Sequence, residues 1–235
     1  MLSTVTSLHL PPLNHTDSHT HRPNSQNLTT HLLHNFSSPL ELKQLHAHLI
    51  KTNTPLTSLP LTRIAFACTR LLDVSNGRVL HGYVEKLGFQ SNLFLMNMIL
   101  NLYALCGKVR DAWLLFDKMS QRDVVTVVAV LAACADLGDL GLGRRIHEYS
   151  NQSGFSRNVR ISNTLIEMYV KCGCLEDACT VFDGMKERTV VSWSAMIAGL
   201  AMHGQAEEAL RLFSRMIQIG MDPNDKHKGG KTQRE

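Results

Sequence analysis

Paired cysteines, long apolar runs and clustered acids are scarce in this sequence, and each shortage removes a class of protein. No stretch of eighteen consecutive apolar residues occurs anywhere in the 235 residues, so a membrane-spanning helix is not expected. The six cysteines, Cys68, Cys106, Cys134, Cys172, Cys174 and Cys179, form no CxxC pair, and a chain of this length needs no disulfide staples. They read as reduced, buried thiols. A net charge of only +4 is too small for a general phosphate-neutralising protein, although it leaves room for a local basic face. With 44% hydrophobic residues there is enough apolar material for a core, which excludes disorder throughout.

The first forty residues are short of acid and of arginine: Asp17 is the one acid and Arg22 the one arginine, against six Ser, six Thr and six His. Import into organelles favours hydroxylated, acid-poor segments, so residues 1–38 are expected to be a disordered leader of the transit-peptide type. The shortage of Arg leans toward the chloroplast over the mitochondrion. The other reading is a disordered tail that carries no address.

Repetition is what the chain has in abundance. Shifted by 66 residues against itself, the sequence matches at 23 of the 59 positions from Ala67 to Val125, where roughly four would match by chance at ordinary composition. Cys68 falls on Cys134, His81 on His147, Asn97 on Asn163, Tyr103 on Tyr169 and Phe116 on Phe182. The block divides into units of 35 and 31 residues, each reading as two short helices. In the second helices, Val109, Ala112, Phe116 and Met119 recur as Leu175, Ala178, Phe182 and Met185, and again as Ala206, Ala209, Phe213 and Met216. Steps of three, four and three place them on one helical face. Gly107, Gly173 and Gly204 stand between the paired helices, where positive φ can end the first of them. Asp111, Glu176, Asp177, Glu207 and Glu208 follow in the first turn of the second helix, where negative charge complements the macrodipole. One such hairpin cannot bury its stripe alone, so stacking into a solenoid is expected.

Other constellations fail on spacing. Six of the twelve histidines lie in the first forty residues, and His81 and His147 hold the repeat position that carries Phe116, Phe182 and Phe213 elsewhere. A histidine in a phenylalanine slot reads as a packing residue with one hydrogen-bonded nitrogen. Cys172, Cys174 and Cys179 have no histidine at a zinc-finger spacing. A GxxxxGK(S/T) loop ending at Gly230, Lys231 and Thr232 would need glycine where Asp225 stands. No catalytic residue, metal site or cofactor is therefore expected.

The segments NMILNLYALCGKVRDAWLLFDKMSQRDVV, NTLIEMYVKCGCLEDACTVFDGMKERTVV, VVTVVAVLAACADLGDLGLGRRIHEYSNQSGFSRN and SWSAMIAGLAMHGQAEEALRLFSRMIQIGMDPN resemble short, short, long and standard motifs of the pentatricopeptide repeat family, in its plant branch of mixed motif lengths, the PLS subfamily. The resemblance covers about residues 40–224. It implies an all-α, right-handed α-solenoid of helix-turn-helix repeats: a degenerate partial repeat at 39–57, long repeats at 58–92 and 124–158, short repeats at 93–123 and 159–189, a standard repeat at 190–224 and a disordered tail at 225–235. The order departs from the usual standard, long, short cycle. KHKGGKTQRE stands where another motif would follow, so the chain is expected to be truncated. Some relatives end in a deaminase domain with an HxE and a CxxC site, in which zinc activates water; neither element occurs here.

In that family each repeat contacts one unstacked base, through a polar residue early in the first helix and the last residue of the motif. The resemblance implies Asn97 with Asp123 for uracil, Ser194 with Asn224 for adenine, and Asn163 with Thr189 for a pyrimidine. Phe94 and Val191 would stack on bases. The long motifs offer Thr62 with Asn92 and Val128 with Asn158, a class that follows the code poorly. Read without the family, Asn97 and Asn163 near a helix start would cap it or bond the neighbouring backbone. The implied partner is single-stranded organellar RNA, with editing favoured over processing or stabilisation and any deaminase supplied by a separate editing factor; no membrane partner is implied. The competing readings are a helical scaffold that binds proteins and a truncated isoform without function. Asn, Ser and Thr at the base-reading positions favour RNA, because a protein scaffold would put large or basic side chains there.

Overall fold

A computed structural model describes residues 38–52 and 57–222. The expected leader except Ser38, the expected tail and Asn224 lie outside the described residues. Within them the chain is helical and no strand occurs. A single helix, α1 (Pro39–Thr52), is followed by five hairpins: α2 (Ser58–Leu71) with α3 (Val74–Lys86), α4 (Leu93–Leu105) with α5 (Val109–Lys118), α6 (Val124–Leu137) with α7 (Leu140–Gln152), α8 (Val159–Lys171) with α9 (Leu175–Gly184), and α10 (Val190–Met202) with α11 (Ala206–Gln218). Single 3-10 turns at Phe89–Ser91 and Phe155–Arg157 carry the chain out of the two long hairpins.

The first helices α2, α4, α6, α8 and α10 pack each on the next and make one continuous layer. Each second helix packs on its own partner and, α11 excepted, on the following first helix, so the second helices form an outer row. That arrangement is an α-solenoid. The slot between paired helices needs a left-handed residue: Gly107, Gly173 and Gly204 take it at φ 67°, 77° and 77°, and Gly138 at 68°. In the first long hairpin the same place is held by Leu72 at φ 50°, the one non-glycine with positive φ among the described residues.

The apolar stripe closes the junctions between hairpins. Phe116 is buried against Tyr149 of the next hairpin, edge to face at 5.1 Å, and Phe182 meets Trp193 in the same way at 5.0 Å. Arg122 and Arg188 lie 4.8 Å over these two phenylalanine rings. Each donates Nε to the phenylalanine carbonyl and a terminal nitrogen to the following Asp carbonyl, so one side chain supplies a cation–π contact and the C-terminal cap of α5 or α9. The stripe differs from expectation at two places. Met119 and Met185 stand one residue past α5 and α9 in extended backbone, yet remain buried. Ala206 and Phe213 are exposed, because no described residue packs on the outer side of α11.

At the other two junctions His81 and His147 accept or donate through Nδ1 to the hydroxyls of Tyr103 and Tyr169, at 3.1 and 2.9 Å. Burial lowers the pKa of both imidazoles, against the pull of Glu85 and Asp111 on His81 and of Asp177 on His147. Arg78–Asp111 and Arg144–Asp177 ion pairs, 2.7 and 2.8 Å, run alongside at the surface. All six cysteines are free; Cys68 and Cys134 are buried, and desolvation pushes both up to about 12, whereas the other four are only half-buried. Among the described residues no helix is long and apolar enough to cross a membrane, and no group of three His, Cys, Asp or Glu side chains is placed to hold a metal.

Candidate nucleic-acid interface

The free face of the first-helix layer carries Phe94, Asn97, Asp123 and Val128 of the residues singled out from the sequence. A cleft of about 690 Å³ between α4 and α6 is lined by Phe94, Asn97, Asp123, Val125, Val128 and, from α8, Arg160, among others. Phe94 is 65% exposed and projects an aromatic face that nothing in the fold covers. Val191 is likewise exposed one hairpin beyond Arg160. Leu59 and Val125 hold the same second position of their helices and are exposed too. The second position thus forms a row of four apolar residues interrupted by one arginine, and Leu59, Val125 and Arg160 were not singled out from the sequence. Superposing the units would have found them, because second position and exposure go together on this layer.

The last residue of each of the first four units is the N-cap of the next first helix. Asn92 accepts from the Leu95 amide, Asp123 from Thr126, Asn158 from Arg160 and Ile161, and Thr189 from Ser192. Capping therefore belongs to these final residues, and Asn97 and Asn163 do not bond the neighbouring backbone as their position near a helix start suggested. Asn97, 8% exposed, donates Nδ2 to Asp123 at 3.0 Å and accepts at Oδ1 from the Thr126 hydroxyl at 2.6 Å. Burial raises the Asp123 carboxyl, but bonds from the Thr126 amide and hydroxyl, from Asn97 and from the Val125 amide outweigh it and hold the group below the ordinary carboxylate range. Asp123 is thus an ionised acceptor beside an amide donor at the edge of the cleft.

In the second short hairpin Asn163 accepts from the Ser192 hydroxyl at 2.6 Å, and Ser192 lies 3.2 Å from the Thr189 hydroxyl. Thr126 and Ser192 are the residues sequence reasoning missed here. Their signal is the capping box, an Asp or Thr followed three residues later by Thr or Ser, and both boxes are complete. Ser194 is exposed on α10; its expected partner Asn224 is outside the described residues. In the long hairpins Thr62 spends its hydroxyl on the Ser58 carbonyl at 2.8 Å, so it offers only acceptor lone pairs, and Val128 is a half-buried wall of the cleft.

Comparison with known proteins agrees with this architecture. The model of the PPR repeat matches residues 94–124, 161–190 and 191–221. A pentatricopeptide repeat-containing protein of Arabidopsis thaliana is 36% identical, over 64% of this chain and 31% of that protein. Another from the same plant, named as chloroplastic, is 32% identical over 75% of this chain and 29% of that protein. The chain spans about a third of the length of the curated relatives it matches. Among solved structures, the maize pentatricopeptide repeat protein PPR10 superposes with a TM-score of 0.67 at 21% identity, over 87% of this chain and 30% of that one. The repeat model on three hairpins and plant relatives at 32% and 36% identity show that the chain carries pentatricopeptide repeats.

Proposed function

We propose that the first-helix face of this solenoid binds single-stranded RNA, one base to each hairpin. The observation that carries the reading is the cleft between α4 and α6, where an exposed aromatic, an amide donor and an ionised carboxylate converge. Phe94 supplies a stacking face of the kind unpaired bases use, and Asn97 with Asp123 supplies a donor and an acceptor for a base edge. Uracil is the base assigned to that pair, adenine to Ser194 with Asn224, and a pyrimidine to Asn163 with Thr189. Thr62 with Asn92 and Val128 with Asn158 contribute less, since the Thr62 hydroxyl is spent on the Ser58 carbonyl and Val128 offers no polar atom. Backbone phosphates would be met by Lys and Arg along the same face, of which Arg160 stands nearest the cleft.

The mixed motif lengths support the PLS subfamily and, with it, a role in selecting an organellar transcript for editing, the deaminase coming from another protein. The acid-poor first forty residues support an organelle, and a relative named as chloroplastic supports the chloroplast. The test is filter-binding titration of the full chain with single-stranded RNA at several salt concentrations. RNA retention that weakens with salt, is lost on duplex formation and falls on Phe94→Ala is expected. Equal retention of duplex and single strand, or none of either, refutes the reading.

A further inference from the structure

The two short hairpins share a device that the base-reading residues alone do not explain. Asn97 and Asn163 are each held by a hydroxyl from the first turn of the following helix, Thr126 on α6 and Ser192 on α10, both at 2.6 Å from the amide oxygen. We propose that Thr126 and Ser192 are positioning residues which set how sharply the preceding hairpin discriminates between bases, by fixing which way round its asparagine amide sits. The proposal rests on the RNA reading above.

A side-chain amide has two orientations related by exchange of its oxygen and nitrogen, and its neighbours decide between them. At Asn97 they leave one. The Asp123 carboxylate only accepts, so Nδ2 must face it across 3.0 Å. Thr126 completes the lock from the other side. Its hydroxyl accepts the Asp123 backbone N–H at 3.1 Å, which steers its own proton toward Asn97 Oδ1 at 2.6 Å and Asp123 Oδ1 at 2.9 Å. The amide oxygen is thereby occupied within the protein, and the pair presents to the cleft the second Nδ2 hydrogen as donor and the carboxylate as acceptor.

At Asn163 the cap is Thr189, whose hydroxyl can donate or accept. In the orientation observed, Ser192 donates to Asn163 Oδ1. With the amide reversed, Nδ2 would donate to the Ser192 oxygen and Ser192 would turn its proton to the Thr189 hydroxyl 3.2 Å away. Both arrangements satisfy the Ser192 hydroxyl and the amide atom that faces it. The hairpin with Asp123 is therefore a single-orientation reader, and the hairpin with Thr189 is a two-orientation reader that accepts bases of either donor–acceptor sense. Hydrogen-bond arithmetic separates them, beside the deeper burial of Asn97.

Thr126→Val keeps the shape and β-branch of a fully buried side chain and removes its hydroxyl, which frees Asn97 Oδ1 and also takes the side-chain acceptor from the Asp123 backbone N–H. The freed lone pair can then accept from an exocyclic base amine, which brings in cytosine and adenine. The experiment retains a randomised single-stranded RNA pool on the full chain and sequences what is bound. Thr126→Val is expected to lower the preference at the nucleotide read by the first short hairpin by about fivefold, whereas Thr126→Ser keeps it. Should Thr126→Val not fold, Ser192→Ala reads the same logic at the second short hairpin and should change its base distribution. Uniform loss of retention with base ratios intact shows that the hydroxyls only build the fold and overturns the inference. Asn97→Ala separates the levels: if it abolishes the preference and Thr126→Val does not, the positioning role alone fails. If neither moves it, base reading by this hairpin fails with it.

Discussion

Replacing Phe182 by Ala tests the stacking of the solenoid, because the same substitution has a built-in control in the next hairpin. Phe182 is 3% exposed, meets Trp193 edge to face at 5.0 Å and lies under Arg188 at 4.8 Å. Truncating a buried phenylalanine costs about 3 to 5 kcal/mol through lost transfer energy and the cavity left behind. The loss of the ring as a partner for Trp193 and Arg188 places this site toward the upper end of that range. Phe213 occupies the same repeat position but is 41% exposed, so Phe213→Ala should cost about 1 kcal/mol. Stability in such an array is a sum of hairpin and interface terms, so the damage should concentrate at the junction of α9 with α10. Urea denaturation gives the magnitudes, and amide exchange should show α10 and α11 losing protection together, ahead of α4 to α8. The reasoning is refuted if the two variants melt alike, or if exchange rises evenly along the chain.

His147→Phe should destabilise by about 1 to 3 kcal/mol even though three other units carry Phe at that position, because it strips the buried Tyr169 hydroxyl of its partner; adding Tyr169→Phe should recover most of the loss in a double-mutant cycle. Burial lowers the folded-state pKa of His81 and His147, so the unfolded chain binds more protons in the window below about 6.5. Stability should be full above that value and fall as pH drops through it toward the folded pKa values, and urea midpoints measured across this window should lose most of that slope in the His81→Phe, His147→Phe double variant. Leu72→Gly should raise the midpoint or leave it unchanged, since Leu72 is exposed and holds the left-handed conformation that its counterpart Gly138 adopts freely; a clear drop would mean that its side chain packs.

The repeat was legible in the sequence because stacking imposes it: a hairpin that must bury a face against copies of itself repeats its apolar residues, and Phe116, Phe182 and Phe213 mark the period. The breaks were legible for a local reason, since Gly107, Gly173 and Gly204 answer to φ alone. What the sequence could not decide is who meets whom across a junction. His81 and Phe116 share a repeat position, yet one hydrogen-bonds a tyrosine and the other meets one edge to face, because the opposing helix differs. Likewise the candidate site residues were chosen one by one from their place in the motif, whereas only the packing of α4 on α6 brings Asn97, Asp123 and Thr126 within hydrogen-bond reach across 26 and 29 residues of chain. Local conformation follows from local sequence; the orientation of a shared amide depends on donors and acceptors that folding alone makes neighbours.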